Sequence, residues 1–193
     1  IPEIERSRLW RYHKPPGIVI TNKDPEGRAT IFERLPRELP RVITVGRLDI
    51  TSEGLLLLTN DGELARKLEL PKTQWVRRYR VRVYGHVNED RLSQLEKGIT
   101  IDGLHYSPIH AKLESQKRTN SWLEIRLREG KNREIRRVMG YLGLNVTRLI
   151  RTAYGPFQLG NMNRGQVIEI NGKVIREQIS GLRQAQPFKS MKK

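Results

Sequence analysis

The chain has 193 residues, with 37 Lys and Arg against 21 Asp and Glu, a formal charge of +16 and a pI near 10.6. That length holds one globular domain or two small lobes, and so large a cationic excess points to a polyanionic partner, nucleic acid or an anionic membrane surface. No apolar run approaches the ~20 residues that span a bilayer, Ile1 to Arg11 has no signal-peptide apolar core, and the lack of cysteine excludes a disulfide scaffold, a thiolate metal site and a Cys nucleophile. These bounds describe a soluble, cytosolic protein that handles nucleic acid.

In chain order, Leu9 to Lys14 reads as a strand stopped by Pro15-Pro16-Gly17, and Ile18 to Thr21 as a second strand before the polar turn Asn22 to Gly27. Thr30 is placed to cap a short helix that runs through Leu35 and ends at Pro36. Val42 to Val45 reads as a buried strand leading into Gly46-Arg47-Leu48-Asp49. Leu55 to Thr59 is another strand, closed by Asn60-Asp61-Gly62, and Glu63 to Leu70 is helical up to Pro71. Trp75 to Tyr84 alternates most clearly: Tyr79, Val81 and Val83 share one face, and Arg78, Arg80 and Arg82 the other.

Glu89 to Lys97 is expected to be helical, with Leu92 and Leu95 inward. Strands follow at Ser107 to Glu114 and Trp122 to Arg128, separated by a polar turn at Ser115 to Asn120. A helix from Asn132 to Leu142 carries the stripe Ile135, Val138, Met139 and Leu142. Strands near Val146 to Thr152 and Gln166 to Asn171 complete the domain. The domain is therefore expected over residues 9–180, after a linker at 1–8 and before a basic, disordered tail at 181–193. Strands and helices do not alternate strictly, so the class is α+β rather than doubly wound. No long exposed apolar stripe calls for a partner subunit, and a monomer is expected.

Basic residues are densest between Lys117 and Arg151, where Lys131, Arg133, Arg136 and Arg137 surround a helix start at Gly130-Lys131-Asn132 whose amides could hold a phosphate. One or two such arginines would suit a merely solvated face; ten Lys and Arg against three Glu point to RNA or DNA. No phosphate-binding loop, dinucleotide fingerprint or nucleophile elbow is present, and the four histidines lie apart. Asp49 stands out as a carboxylate where a buried strand opens into a polar turn, a common place for catalytic groups and also for turn caps. Tyr79 is either a packed aromatic or a platform for a stacked base. Arg136 borders the apolar stripe of its helix, so its head either reaches inward to a carboxylate or snorkels to solvent.

Taken together, Gly46-Arg-Leu-Asp-Ile-Thr-Ser-Glu-Gly-Leu-Leu-Leu-Leu-Thr-Asn-Asp-Gly62 resembles the signature of the RsuA/RluB/RluE/RluF family of ribosomal RNA pseudouridine synthases. Lys14-Pro-Pro-Gly17, Arg78-Tyr-Arg-Val-Arg82, Glu129 to Arg137, Val146 to Arg151 and Gly155-Pro156 agree in order and spacing, so the likeness runs from about Leu9 to Ile170. It is nearest the RluB type, which acts on large-subunit (23S) RNA. Members carry an N-terminal S4 domain; here the Lys-Pro-Pro-Gly block begins at Lys14, and the likeness covers a catalytic domain without that module.

The resemblance implies a pseudouridine synthase fold: a mixed, mostly antiparallel central sheet with flanking helices and a catalytic cleft. It makes Asp49 the catalytic residue, stacks Tyr79 on the target base, pairs Arg136 with Asp49 and lines the base pocket with Leu149. Arg47 and Lys14, within matching blocks, and Lys131, Arg133 and Arg137 are expected to contact the RNA substrate. Isomerising uridine is redox-neutral, so no cofactor and no metal is expected. Asp49 could attack C1′, add to C6, or assist loss of the C2′ proton to give a glycal; the resemblance leans to the last. A binding protein without activity and a metal-dependent nuclease are the competing classes; the second lacks clustered carboxylates.

Overall fold

The structure is a computed structural model, and it describes residues 6–21, 24–70, 74–131 and 133–183. Nine strands form one sheet and two more a separate hairpin. They are β1 (Leu9–Lys14), β2 (Ile43–Val45), β3 (Glu53–Thr59), β4 (Arg77–Tyr84), β5 (Ile99–Ile101), β6 (Leu104–Tyr106), β7 (His110–Lys117), β8 (Asn120–Leu127), β9 (Asn145–Tyr154), β10 (Phe157–Gln158) and β11 (Val167–Glu169). The main order is β11-β1-β3-β9-β4-β8-β7, with β2 on β3, β10 on β9, and β5–β6 as the hairpin. Every pairing is antiparallel except β3 with β9. The helices are α1 (Ile31–Arg34), α2 (Gly62–Glu69), α3 (Glu89–Gln94, continued as a 3-10 turn at Leu95–Lys97), α4 (Glu134–Tyr141) and α5 (Gly172–Arg183). The chain is α+β, as expected.

The strand β3 is apolar without alternation because both of its faces are covered. Leu55 and Leu57 join the core packed by α2 and α5, whereas Leu56 and Leu58 join the one packed by α1. The β4 alternation is seen as read: Tyr79, Val81 and Val83 enter a third core with Leu92, Leu95, Val138 and Met139. On the opposite face Arg78 pairs with Glu124 and Arg80 with Glu114, and Arg80 also lies over the Trp122 ring at 4.5 Å. Helix starts follow capping chemistry: Thr30 Oγ1 accepts from Glu33 N, and Asp61 Oδ1 accepts from Glu63 N and Leu64 N.

Several local expectations change. Ile18 to Thr21 is no strand: its one ladder contact is a parallel bridge from Val19 to Thr30, leaving it too few partners to extend. Ile43 is exposed, so β2 is an edge rather than a buried strand. The turn expected at Ser115 to Asn120 is tighter, with Arg118 in the left-handed region joining longer strands. The short β5, β6 and β10 were not foreseen. Nor was α5, which runs through the expected domain edge at residue 180, so that 181–183 are helical while 184–193 lie outside the described residues. The expected linker is docked from Arg6 onward, for Asn60 Nδ2 donates to Arg6 O and Asn60 Oδ1 accepts from Arg8 N; residues 1–5 lie outside the described range, as do Asn22 and Pro71.

The two halves of the sheet meet only at β3 and β9, in register at Glu53–Ile150 and Gly54–Arg151. Gly54 has φ +108°, and a Cβ there would fall on the Arg151 backbone. Both facts require glycine. Gly54→Ala is expected to lower stability by about 3 kcal/mol or more, read as the urea unfolding midpoint. A midpoint unchanged from the wild type would show that the seam tolerates a side chain.

Candidate active site

The loop after β2 begins with Gly46 at φ +72°, a left-handed turn that favours glycine; its N–H donates to Glu69 Oε1 at 2.6 Å, tying the loop to the end of α2. This turn carries Arg47, Leu48 and Asp49 back across the sheet. Lys14 supports it from below. The side chain is fully buried, and Nζ donates to Ser52 O at 2.8 Å, Pro15 O at 3.1 Å and Ile50 O at 3.3 Å. Gly17 N adds a bond to Ile50 O. Burial pulls the Lys14 ammonium down to about 8, while the charges of Asp49 and Glu53 act the other way. Lys14, expected to contact substrate, instead fastens residues 49–52.

The Asp49 carboxylate opens into a cleft of about 540 Å³, within the ~300–1,000 Å³ of ligand pockets. From β4 come Arg77 and Tyr79; from β8, Leu127; from β9, Leu149, Arg151 and Tyr154; from the turn before α4, Lys131 and Arg133; and from the first turn of α4, Glu134 and Ile135. Leu127, Ile135 and Leu149 form an apolar wall, and Tyr79 stands with only 8% of its surface exposed. The cleft therefore offers an aromatic face, apolar contacts, cations and one open carboxylate.

The guanidinium on Asp49 is that of Arg133, with Nη1 3.4 Å from Oδ2. This corrects the expected pairing with Arg136, which lies one turn further on, half-buried, its Nε without a hydrogen-bond partner among the described residues. Burial lowers the Arg136 pKa, as does the Arg133 charge, while Asp49 opposes them. Arg133 and Asp49 are both partly exposed, so their pair contributes little to stability, within ~1 kcal/mol, and acts by orienting the carboxylate.

The dense basic segment does not form one surface. Arg148 is committed to buried Glu53, Arg126 pairs with Glu124 on the far face, and Arg137 is exposed outside the cleft. The expected amide cradle at Gly130-Lys131-Asn132 is displaced: α4 begins at Glu134, Lys131 N donates to Glu134 Oε1 at 3.2 Å, and Asn132 lies outside the described residues. Lys131 Nζ donates to His105 O. Of the expected substrate contacts, Arg47, Tyr79, Lys131, Arg133 and Leu149 converge with Asp49; Lys14, Arg136 and Arg137 do not line the cleft. Arg151 was not singled out. It is buried, with Nε donating to Leu55 O at 2.8 Å and Nη2 without a hydrogen-bond partner among the described residues, and its pairing with Gly54 across the seam is not visible in the local sequence.

Comparison with known proteins gives this arrangement a family. A family model described as RNA pseudouridylate synthase matches residues 8–141. An uncharacterised RNA pseudouridine synthase of Rickettsia conorii is 51% identical over 175 residues, covering 91% of this chain and 75% of that one. Ribosomal large subunit pseudouridine synthase B of Pasteurella multocida is 46% identical over 156 residues, 80% of this chain and 45% of that longer one. A crystal structure of a pseudouridylate synthase superposes with a TM-score of 0.77 at 27% identity, covering 93% of this chain and 75% of that one.

Lys14→Met is expected to lower stability by about 2 kcal/mol, because three carbonyls lose their donor, and to lower turnover in the protein that remains folded. Wild-type turnover in folded Lys14→Met would show that the loop holds Asp49 without this clamp. By motif, fold and relatives alike, the chain belongs to the RNA pseudouridine synthase family.

Proposed function

We propose that this domain converts a uridine of large-subunit ribosomal RNA to pseudouridine, with Asp49 as the catalytic carboxylate. The observation that carries the reading is the placement of Asp49: an open carboxylate, oriented by Arg133, at the mouth of a cleft whose wall is Tyr79 and Leu149. The RNA class is taken from the large-subunit synthase of Pasteurella multocida, 46% identical over the shared domain.

The reaction breaks the C1′–N1 bond, turns the uracil and rejoins it at C5, where a proton is lost and one is gained at N1. Nothing is oxidised or reduced. A uridine in folded RNA must first leave its stack, at a cost of a few kcal/mol. Tyr79 offers a stacking face worth about 1–3 kcal/mol, and Arg47, Lys131 and Arg133 at the cleft supply charge for the phosphates. The apolar wall of Leu127, Ile135 and Leu149 keeps the freed base from diffusing away while it turns.

Asp49 then acts as a nucleophile, at C1′ or by addition to C6 of the ring, or as a base. As a nucleophile it forms an ester at C1′, uracil leaves with the N1 electron pair, and C5 displaces the carboxylate after rotation. As a base it takes the C2′ proton while uracil departs, giving a glycal to which C5 adds as the proton returns. Arg133 stabilises the carboxylate when it is regenerated.

Tritium release from ribosomal RNA labelled at uracil C5 tests the reading. Asp49→Asn is expected to lower release by about 10⁴-fold or more while RNA affinity stays near that of the wild type. Tyr79→Leu is expected to lower kcat/KM by about 10–100-fold, the value of a lost stacking contact. Release by Asp49→Asn at the wild-type rate would remove Asp49 from the chemistry.

A further inference from the structure

We propose that the sheet face opposite the cleft, formed by β4, β7 and β8, is a second RNA surface that grips the sugar-phosphate backbone away from the target uridine. It is separate from the Asp49 cleft and does not depend on the chemistry there.

The face is built by alternation. Tyr79, Val81 and Val83 of β4 enter the core, which sends Arg78, Arg80 and Arg82 to the other side. Residues on one face of a strand repeat about every 7 Å, so these three Cα atoms form a line about 14 Å long. Register extends the line sideways. Arg78 lies opposite Arg126 on β8, Arg82 opposite Trp122, and Arg80 opposite Glu124, which faces Lys112 on β7 in turn. Around β3 both faces of the sheet are covered by helices, but here the outer face meets solvent. Arg78, Arg80, Lys112 and Arg126 are exposed, and Arg82 and Trp122 are partly so. Five cations, the three of β4 with Lys112 and Arg126, stand against two carboxylates, Glu114 and Glu124.

The ion pairs leave most of this charge available. Arg80 lies 3.3 Å from Glu114, while Arg78 and Arg126 both reach the same oxygen of Glu124 at 3.5 Å. All three arginines are about half exposed, so each pair is worth ~1 kcal/mol or less and a phosphate can replace the carboxylate. Arg82 and Lys112 enter no ion pair among the described residues; Arg82 Nε donates to Thr147 Oγ1 at 3.0 Å. Trp122 organises two of the guanidiniums. Arg80 and Arg82 lie 4.5 and 5.9 Å from its ring centroid. A guanidinium resting on an aromatic ring keeps its in-plane N–H groups for bidentate contact with phosphate and has less rotamer freedom to lose.

The occupant follows from charge and shape. The face has no pocket to take in a flipped base, so it suits contacts that position a backbone without reading its sequence. A nucleic-acid strand presents its charge at a regular interval along a line, as the β4 arginines do. The family acts on RNA, and the chain carries +16. The strand β7 is an edge of the sheet, so a large folded RNA whose uridine enters the cleft can pass round that edge to the outer face.

The test is the Kd for a protein-free transcript of the large-subunit RNA, measured by filter binding from about 50 to 200 mM salt. The double variant Arg82→Gln/Lys112→Gln removes the two cations that hold no carboxylate, so no acid is left unpaired. It is expected to raise Kd about tenfold at the lowest salt and to reduce the slope of log Kd against log salt by about two. Lys173→Gln/Arg176→Gln removes the same charge from exposed positions on α5 and is expected to stay within about twofold of wild type. Arg80→Lys keeps the charge but loses the fork over Trp122, and Kd is expected to rise about threefold.

An unchanged Kd and slope in Arg82→Gln/Lys112→Gln overturns the proposal and leaves an acidic protein surface as the partner of this face. Equal losses in the β4–β7 pair and the α5 pair also overturn it, because net charge alone then accounts for both. Should the first double variant fail to fold, Arg80→Lys decides by the same readings. Only binding is measured, so the result stands whether or not the transcript is isomerised, and a failure at the cleft is told apart from a failure here.

Discussion

The site exists because two strands that face the same way approach within a single glycine of each other. On one side of the β3–β9 seam lie β1, β2 and β3, which deliver Asp49 and the Lys14 clamp; on the other lie β4, β8 and β9, which deliver Tyr79, Leu127 and Leu149. The parallel ladder is only two residue pairs long, so the join relies on side chains as well. Arg151 reaches from β9 to Leu55 O on β3, and Glu53 on β3 accepts from Arg148 on β9 at 2.9 and 3.1 Å and from Arg164 at 2.8 Å. Removing both guanidiniums would be costly, because Glu53 left alone would be an unpaired buried charge, whereas Arg148 and Arg164 are partly exposed. Those contacts bring Asp49 and Tyr79 into one cleft.

The charge of the chain divides by task along the same lines. Several cations are structural: Lys14 serves three carbonyls, Arg148 and Arg164 serve Glu53, and Arg151 serves Leu55. On the far face of the sheet Arg78, Arg80 and Arg126 are paired with glutamates, and Arg80 lies over Trp122. Net charge therefore overstates the local binding surface. At the cleft itself stand Arg47 and Arg133, beside apolar and aromatic surface, with Lys131 tied to His105 O at its edge. That mixture suits a base lifted from RNA, with the phosphates held at the rim and the ring inside.

Where a property of the fold is periodic or local, the sequence carried it. Alternation along Arg77–Tyr84 separates the Tyr79 face from the arginine face, and the Thr30 and Asp61 caps lie where the helices start. Asp49 was legible as a carboxylate where a strand opens into a loop, and the family block sharpened it. Contacts between distant residues were not legible. Arg133 reaches Asp49 across 84 positions, and Arg136 stands three residues further along, so nothing local distinguishes the two guanidiniums. Lys14 looked like a substrate contact because its motif gives no sign of burial. Its role follows from how β1 passes beneath the 49–52 loop. The elements β5, β6 and β10, each of two or three residues, are too short for a period to emerge.

Isomerisation of uridine in large-subunit ribosomal RNA by a cleft assembled across this seam is tested by mapping products nucleotide by nucleotide. Protein-free transcripts of the large- and small-subunit RNAs would be incubated with the domain without added metal, and pseudouridine located in each. New pseudouridine is expected in the large-subunit transcript and none in the small. Pseudouridine confined to the small-subunit transcript, or absent from both while the RNA is bound, would contradict it.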